Sequence, residues 1–323
     1  MLDQYGRVIN YLRISVTDRC NLRCCYCMPE GVQDVGMKNI LTFEEIWEIV
    51  RTGVSLGITH IRITGGEPLV RKGCVDLIRG IREIPGVETI TMTTNGVLLG
   101  NYAKQLKEVG VDSVNISLDT LDPEEFYKIT GKRELQEVLA GIRAAKTTGL
   151  QVKLNAVNRK ELDPLPLVRY AQKENLPLRF IEMMPVGYGK KYVGRSNEEL
   201  RKTLATVCGN PECITDREEL SRMGSGPAVY YRFSDLKVPV GFISAIHGKF
   251  CDTCNRIRLT AEGYLKLCLC YDKGADLRRA LREGEKENLR TIMEETIFQK
   301  PAAHCFEHPE EMTETHEMIK IGG

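Results

Sequence analysis

The chain lacks an excess of charge of either sign: 45 Lys and Arg stand against 44 Asp and Glu, a formal net charge of +1 in 323 residues. No overall field draws it to a polyanion or an anionic membrane, so an anionic ligand must be met by cations grouped locally. It also lacks any apolar run approaching the roughly 20 residues that cross a bilayer. Met1 to Asn10 show neither the basic start nor the apolar stretch of a secretory signal. Internal repeats and low-complexity segments are missing, as is a stripe of basic and aromatic residues of the kind that tracks nucleic acid. These absences predict a soluble, cytoplasmic protein. Its 42% hydrophobic residues suffice for a real core, with length enough for two domains.

What stands out instead is cysteine, with 12 residues. In a reducing compartment, clustered cysteines point to metal or catalysis before disulfides. Eight fall into two compact groups: Cys20, Cys24, Cys25 and Cys27 near the start, and Cys251, Cys254, Cys268 and Cys270 near the end. Cys74, Cys208, Cys213 and Cys305 are scattered and receive no role, because a lone cysteine is usually a small buried hydrophobe. A local pair of Cys208 with Cys213 has no second pair beside it.

Between the groups, apolar alternation predicts strands at Tyr11–Val16, Ile58–Thr64, Val87–Thr93, Asp112–Leu118, Gln151–Val157 and Leu178–Met183. Helical patterns lie between them: Thr42, an N-cap with Glu45 completing a capping box, to Leu56, then Val75–Ile84, Asn101–Val109, Glu134–Thr148 and Pro164–Asn175. Such alternation implies parallel strands joined by right-handed crossovers. The expected fold is α/β, an incomplete (β/α)6 TIM-like barrel over residues 1–187, followed by a C-terminal α+β cluster-binding domain over residues 188–323. In that second part a helix is expected around Glu198–Thr206, short strands at Val229–Phe233, Val238–Ser244 and Ile257–Thr260, and one charged helix from Asp276 to about Gln299. There Arg278, Arg279 and Arg282 beside Glu283, Glu285 and Glu287 read as a solvated face. Several strands carry polar residues two apart near their C-terminal ends: Arg62 and Thr64, Thr91 and Thr93, Asn115 and Ser117, Lys153 and Asn155, and less regularly Arg179 and Glu182. Residues i and i+2 share a face, so these lie together inside the barrel, where Val, Ile or Leu would ordinarily pack.

The first cysteine group, Cys20-Asn-Leu-Arg-Cys24-Cys-Tyr-Cys27, follows the first strand. Thiolates four and three residues apart suit one loop wrapped around a 4Fe-4S cluster, leaving one iron free to bind a small molecule. The alternative is a zinc site with a distant fourth ligand such as Cys74 or His60. This motif, with an aromatic before its last cysteine, resembles the radical S-adenosylmethionine enzymes. Thr64-Gly65-Gly66-Glu67-Pro68 is similar to that family's glycine-rich element. The resemblance implies that the open iron binds S-adenosylmethionine, which one electron cleaves to a 5'-deoxyadenosyl radical.

For the second group, the residues alone leave two readings open: a four-thiolate zinc ribbon of Cys251, Cys254, Cys268 and Cys270, or a second cluster held by three. Cys251-Asp-Thr-Cys254-Asn-Arg-Ile-Arg-Leu, with thirteen residues between Cys254 and Cys268, resembles the GTP 3',8-cyclases of molybdenum-cofactor synthesis. So do Gly6-Arg7, Arg13-Ile-Ser-Val-Thr-Asp-Arg-Cys20, Arg179-Phe-Ile-Glu-Met-Met184, Gly224-Ser-Gly-Pro227 and the closing Gly322-Gly323. The resemblance covers nearly the whole chain. It implies two 4Fe-4S clusters facing each other across one barrel mouth, on Cys20, Cys24 and Cys27 and on Cys251, Cys254 and Cys268, with Cys270 a bystander. It implies S-adenosylmethionine contacts at Tyr26, Gly66, Ser117 and Met184, and GTP contacts at Arg13, Arg62, Thr93, Lys153, Arg256 and Arg258. No acid or base is assigned, because the chemistry is radical. Also implied are a two-glycine tail reaching the active site, an electron donor such as flavodoxin or ferredoxin, cyclic pyranopterin monophosphate synthase downstream, and a monomer or homodimer. Rival readings are a peptide-modifying radical enzyme with an auxiliary cluster and a zinc-stabilised binding module. Gly224-Ser-Gly226-Pro227 lacks the ending of a phosphate loop and reads as a turn.

Overall fold

A computed structural model of the chain describes residues 1–31, 35–192, 194–224, 226–284 and 286–321. The expected strands form where apolar alternation placed them. In chain order the first half runs β1 (Tyr11–Ser15), α1 (Phe43–Ser55), β2 (His60–Thr64), α2 (Cys74–Arg82), β3 (Thr89–Thr94), α3 (Leu99–Glu108), β4 (Ser113–Ser117), α4 (Pro123–Thr130), α5 (Leu135–Thr147), β5 (Gln151–Asn158), α6 (Leu165–Glu174) and β6 (Leu178–Glu182). The Thr42 hydroxyl accepts from the Glu45 amide and the Glu45 carboxylate accepts from the Thr42 amide, the reciprocal cap expected at the start of α1. Helix α4 is not among the expected helices. Its eight residues make only about two turns, too few for periodicity to show, although Asp122 capping two amides and Pro123 in the first turn mark its start.

The second half continues with α7 (Asn197–Cys208), β7 (Pro211–Cys213), α8 (Arg217–Met223), β8 (Val229–Phe233), β9 (Val240–Ile243), β10 (Arg256–Leu259), β11 (Tyr264–Lys266), β12 (Gly274–Asp276), α9 (Leu277–Arg282) and α10 (Leu289–Phe298). The single charged helix expected over residues 276–299 is two. Helix α9 stops at Arg282, and Gly284 takes φ +87°, a left-handed value that ends helices. Nor are its arginines a merely solvated face. Arg282 binds Glu45 (Nε to Oε1, 2.6 Å) and the Lys38 carbonyl (2.6 Å), and Arg278 binds the Asn39 carbonyl, so α9 is tied to the start of α1. Glu285 lies outside the described residues.

The twelve strands form one sheet in the order β12-β11-β10-β1-β2-β3-β4-β5-β6-β9-β8-β7. From β10 through β1 to β6 and on to β9, every neighbouring pair is parallel. The six-strand partial barrel is therefore widened at both edges by strands from the C-terminal half. One face of the sheet is apolar: Leu12, Ile14, Ile61, Ile63, Ile90, Met92, Val114, Ile116 and Leu154 are buried in the main core with the helices. The other face lines the barrel interior. Among the described residues, no helix is long and apolar enough to cross a membrane.

Candidate active site

Strand register converts polar alternation into a chamber. Arg13 of β1 stands opposite Arg62 of β2 on one side and Arg258 of β10 on the other. Arg62 is opposite Thr91, Thr93 opposite Asn115, Asn115 opposite Lys153, and Asn155 opposite Arg179. Arg62 donates to Thr91 Oγ1 (3.1 Å) and Thr93 Oγ1 (3.5 Å), Arg179 to Asn115 Oδ1 (2.5 Å) and Asn155 Oδ1 (2.9 Å), and Lys153 Nζ to the Met223 carbonyl (2.7 Å). All six residues expected to contact GTP fall on this interior face. So does Arg179, whose alternation was visible but whose part in the site was not assigned.

The chamber is electrostatically tense. Burial, and then the charges of Arg258 and Arg62, hold the Arg13 guanidinium well below its ordinary pKa. Burial and Arg256 bring Arg258 down to about 10, while burial, Arg179 and Arg62 bring Lys153 down to about 8. The groups depressing these cations are other cations. Collecting like charges away from water is costly, and a polyanion placed among them adds attractions that offset the repulsion. Gly224, at φ +100°, lies beside this array: a Cβ there would stand 3.0 Å from Lys153 Nζ. The Gly224–Pro227 segment is thus at the chamber rather than on a remote turn, although Ser225 lies outside the described residues.

At the C-terminal end of the strands sits the first cysteine group. Gly66 N donates to the Thr17 carbonyl (2.7 Å) and Glu67 N to the Arg19 carbonyl (2.9 Å), seating the cysteine loop against the end of β2. A Cβ on Gly66 would lie 2.3 Å from the Arg19 carbonyl oxygen and one on Gly65 2.7 Å from that of Thr17, so only glycine allows this approach. The buried Glu67 carboxyl, raised by burial to about 7, accepts from the amides of Asn95 (2.7 Å) and Leu69 (3.1 Å) and from Thr94 Oγ1 (2.8 Å). Asn95 Nδ2 in turn points at Cys20 Sγ (3.7 Å) and donates to Asn21 Oδ1 (2.8 Å). Glu67, quoted within the glycine-rich element, and Asn95, which nothing but its place after a strand end signals, went without a role in the sequence.

The chemistry of these thiols fits a metal centre. Burial raises Cys20, burial and Cys27 raise Cys24 well above the ordinary thiol value, and burial and Cys20 bring Cys27 to about 12. Three thiols opposing one another's ionisation give up their protons when a cationic centre stands between them. Cys25 is engaged elsewhere: Arg159 Nη1 lies 3.5 Å from its sulfur, and Tyr192 also contacts it. Tyr26 donates to Asp119 Oδ2 (2.8 Å), whose other oxygen accepts from Val157 N (2.8 Å), pinning the loop to β5. Replacing Asp119 by alanine strands the Tyr26 hydroxyl and the Val157 amide, a loss of about 1–3 kcal/mol, and thermal unfolding of the cluster-free chain shifts down by a few degrees. Ser117 and Met184 end β4 and follow β6 at this same end of the barrel.

The second group lies at the opposite end. Strand β10 runs parallel to β1, with Arg256 opposite Tyr11, so Cys251 and Cys254 precede the strand starts while Cys20 to Cys27 follow the strand ends. The antiparallel pairing of β11 with β10, Lys266 opposite Arg258, returns Cys268 to the end where Cys254 sits. The expectation of two sites across one mouth is therefore corrected. At about 3.3 Å per residue, the five residues of β1 put roughly 16 Å of strand between the two levels, and the cations occupy the space between. Burial, and then Cys268 and Cys254, raise the Cys251 thiol, whereas Cys254 is lowered because Lys300, Arg256 and Arg7 outweigh its burial. Arg7 holds the carbonyls of Cys251 (2.8 Å) and Ala302 (2.7 Å). Cys270 instead buries its sulfur 2.9 Å from that of Cys305. A cavity of about 560 Å³ opens beside the trio, with Arg7, Asn10, Asn255 and Arg256 in its wall.

Comparison with known proteins agrees with this division of labour. Residues 14–162 match the Radical SAM superfamily, whose members use a 4Fe-4S cluster and S-adenosylmethionine, and residues 176–306 match the Molybdenum Cofactor Synthesis C family. The GTP 3',8-cyclase of Clostridium perfringens strain SM101 is 43% identical over 330 residues, covering all of both chains. That of Peptoclostridium acidaminophilum is 45% identical over 336 residues, covering all of this chain and 98% of the relative. In fold, the chain resembles Streptococcus suis SuiB bound to S-adenosylmethionine, with TM-score 0.67 and 13% identity over 97% of this chain and 77% of that one. Native anSMEcpe with bound AdoMet gives 0.61 and 19% over 92% and 82%. Full-length identity above 40% decides between the rival readings, and the chain belongs to the GTP 3',8-cyclase family of radical S-adenosylmethionine enzymes.

Proposed function

We propose that this protein converts GTP to 3',8-cyclo-7,8-dihydroguanosine 5'-triphosphate, the first step of molybdenum cofactor (molybdopterin) biosynthesis. The observation that carries the reading is the array of half-buried Arg13, Arg62, Arg256 and Arg258 with the buried Lys153, lying between two cysteine trios at opposite ends of one chamber. Cys20, Cys24 and Cys27 would hold one 4Fe-4S cluster, and Cys251, Cys254 and Cys268 a second. Tyr26, Gly66, Ser117 and Met184 would receive S-adenosylmethionine at the C-terminal end. When bound there, these groups supply the 5'-deoxyadenosyl radical that removes the ribose 3' hydrogen, freeing that carbon to bond guanine C8.

The chain's own residues position and enclose. Arginine forks suit phosphate oxygens, and charge-assisted hydrogen bonds to a triphosphate contribute about 1.5–3 kcal/mol each. With the nucleotide anchored along the chamber, its sugar and base are held in fixed relation to both ends, the proximity that a short-lived radical requires. Walls of packed strand keep competing hydrogen donors out. The division at residues 187 and 188 belongs to this reading, as do an electron donor of the flavodoxin or ferredoxin kind, cyclic pyranopterin monophosphate synthase as consumer of the product, and a monomer or homodimer. Gly322-Gly323, expected to reach the site, lie outside the described residues. The segment leading to them is close by: Ile319 Cδ1 would lie 2.8 Å from a Cβ on Gly66.

The test is anaerobic incubation of reduced protein with S-adenosylmethionine and GTP deuterated at the ribose 3' position. Deuterium is expected in 5'-deoxyadenosine, and 5'-deoxyadenosine formed without GTP dependence overturns the reading. A second expectation concerns pH. Lys153, with its pKa held near 8 in the free chamber, is charged below that value and neutral above it. A bound triphosphate favours the charged form, so GTP affinity falls as pH rises above about 8. Titrating GTP into wild type and Lys153→Met across pH 7 to 9.5 checks this: the variant binds more weakly at pH 7 and loses that part of the pH dependence.

A further inference from the structure

Cys270 and Cys305 play no part in the proposed reaction, yet they are the most closely placed sulfurs for which a contact is recorded, 2.9 Å apart. The Cys305 amide also donates to Cys270 Sγ (3.2 Å), which fixes both backbones around the pair. They lie in a small second core with Val186, Leu269, Phe306 and Ile321, in which Cys270 is fully buried and Cys305 is 7% exposed. The two belong to segments with different duties. Cys270 sits two residues beyond Cys268 on the loop after β11. Cys305 sits on the closing segment, residues 300–321, which crosses the molecule from the second trio toward the first. That segment is held by Arg7 at the carbonyls of Pro301 and Ala302 (both 2.7 Å) and by the buried pair of Glu314 with Lys266, and it places Ile319 against Gly66. A bond between the two sulfurs would tie the loop that carries Cys268 to the segment that leads to the first site.

We infer that Cys270 and Cys305 form a reversible thiol–disulfide latch, closed by a two-electron oxidant of the hydroperoxide class. Cys305, the more accessible of the two, attacks the peroxide oxygen, giving a sulfenic acid and water. Cys270 then attacks that sulfur and displaces a second water. Two thiols and one hydrogen peroxide thus become one disulfide and two waters, and a dithiol reductant reverses the change. Little backbone movement is needed, because the sulfurs already face each other. Closing the latch clamps the closing segment over both ends of the chamber under oxidising conditions. The inference rests on the second site being held by Cys251, Cys254 and Cys268, which leaves Cys270 free for Cys305.

Mass spectrometry tests it directly. Anaerobically prepared protein is treated with equimolar hydrogen peroxide, unfolded in iodoacetamide and digested with trypsin. The peptide containing Cys268 and Cys270 is expected to appear joined to the one containing Cys305, two hydrogens lighter than their sum. Fragmentation places the link at Cys270, and dithiothreitol releases it. Cys305→Ser and Cys270→Ser lose the linked species, whereas Cys268→Ser keeps it. A link running to Cys268, or no linked species while other thiols oxidise, overturns the latch. Iron content separates this from failure of the cluster assignment. If Cys270→Ser loses iron, the assignment of the trio is wrong; if the latch alone is wrong, iron stays at the wild-type level.

Discussion

Cys268→Ser, prepared anaerobically, contains about half the iron and acid-labile sulfide of the wild type, as expected when one of two three-cysteine clusters is lost. It forms no cyclised GTP. Cys270→Ser keeps the full complement. The contrast follows from geometry. Antiparallel pairing of β11 with β10 brings Cys268 back to the level of Cys254, whose thiolate the charges of Lys300, Arg256 and Arg7 favour, while Cys270 turns away to Cys305. Serine offers a harder, less acidic donor than a thiolate, so the cluster loses a soft ligand it needs. Equal iron loss in both variants would point to a four-thiolate site in place of the proposed trio.

Arg258→Leu weakens GTP binding roughly ten- to a hundredfold, the loss of one strong charge-assisted contact at about 1.4 kcal/mol per factor of ten. The same substitution leaves thermal unfolding of the nucleotide-free, cluster-free chain unchanged or raises it. Arg258 stands opposite Arg13, and burial, then the like charges of Arg256 and Arg62, depress its pKa to about 10 against the opposing pull of Cys268 and Cys254. Removing it relieves the repulsion from Arg256 and Arg62. Opposite movement of affinity and stability is the signature of charges gathered for a ligand rather than for the fold. Arg179→Leu lowers the unfolding temperature, because its guanidinium donates to the buried Asn115 and to Asn155 and the loss takes that donor from both amide oxygens. Nucleotide titration and calorimetry on both variants decide the matter, and a lower unfolding temperature for Arg258→Leu would contradict the account.

Much of this site is legible from residue spacing, for a physical reason. Ligands carried on one loop, as Cys20, Cys24 and Cys27 are, have their separations set by a few backbone torsions, so sequence distance encodes spatial distance. Two-residue alternation is equally direct, since a strand can only turn i and i+2 to one side. Arg62, Asn115 and Lys153 accordingly appear together on the interior face, in the register that alternation implies. The roles of Asp119, Glu67 and Asn95 were not legible. Each lies in a connection after a strand, where no period operates, and each acts through hydrogen bonds to segments distant in sequence.

The near-neutral composition, the two cysteine groups and the polar face of the strands are properties of the sequence alone, and they determine a barrel with thiol-rich loops and local cations for an anion. The tertiary structure decided where those parts stand. Only the pairing of β10 with β1, between segments at opposite ends of the chain, places the second trio at the starts of the strands and brings Arg256 and Arg258 beside Arg13. Only the return of the closing segment sets Cys305 against Cys270. Contacts between distant segments are chosen by the packing of the whole core, and no local pattern can carry them.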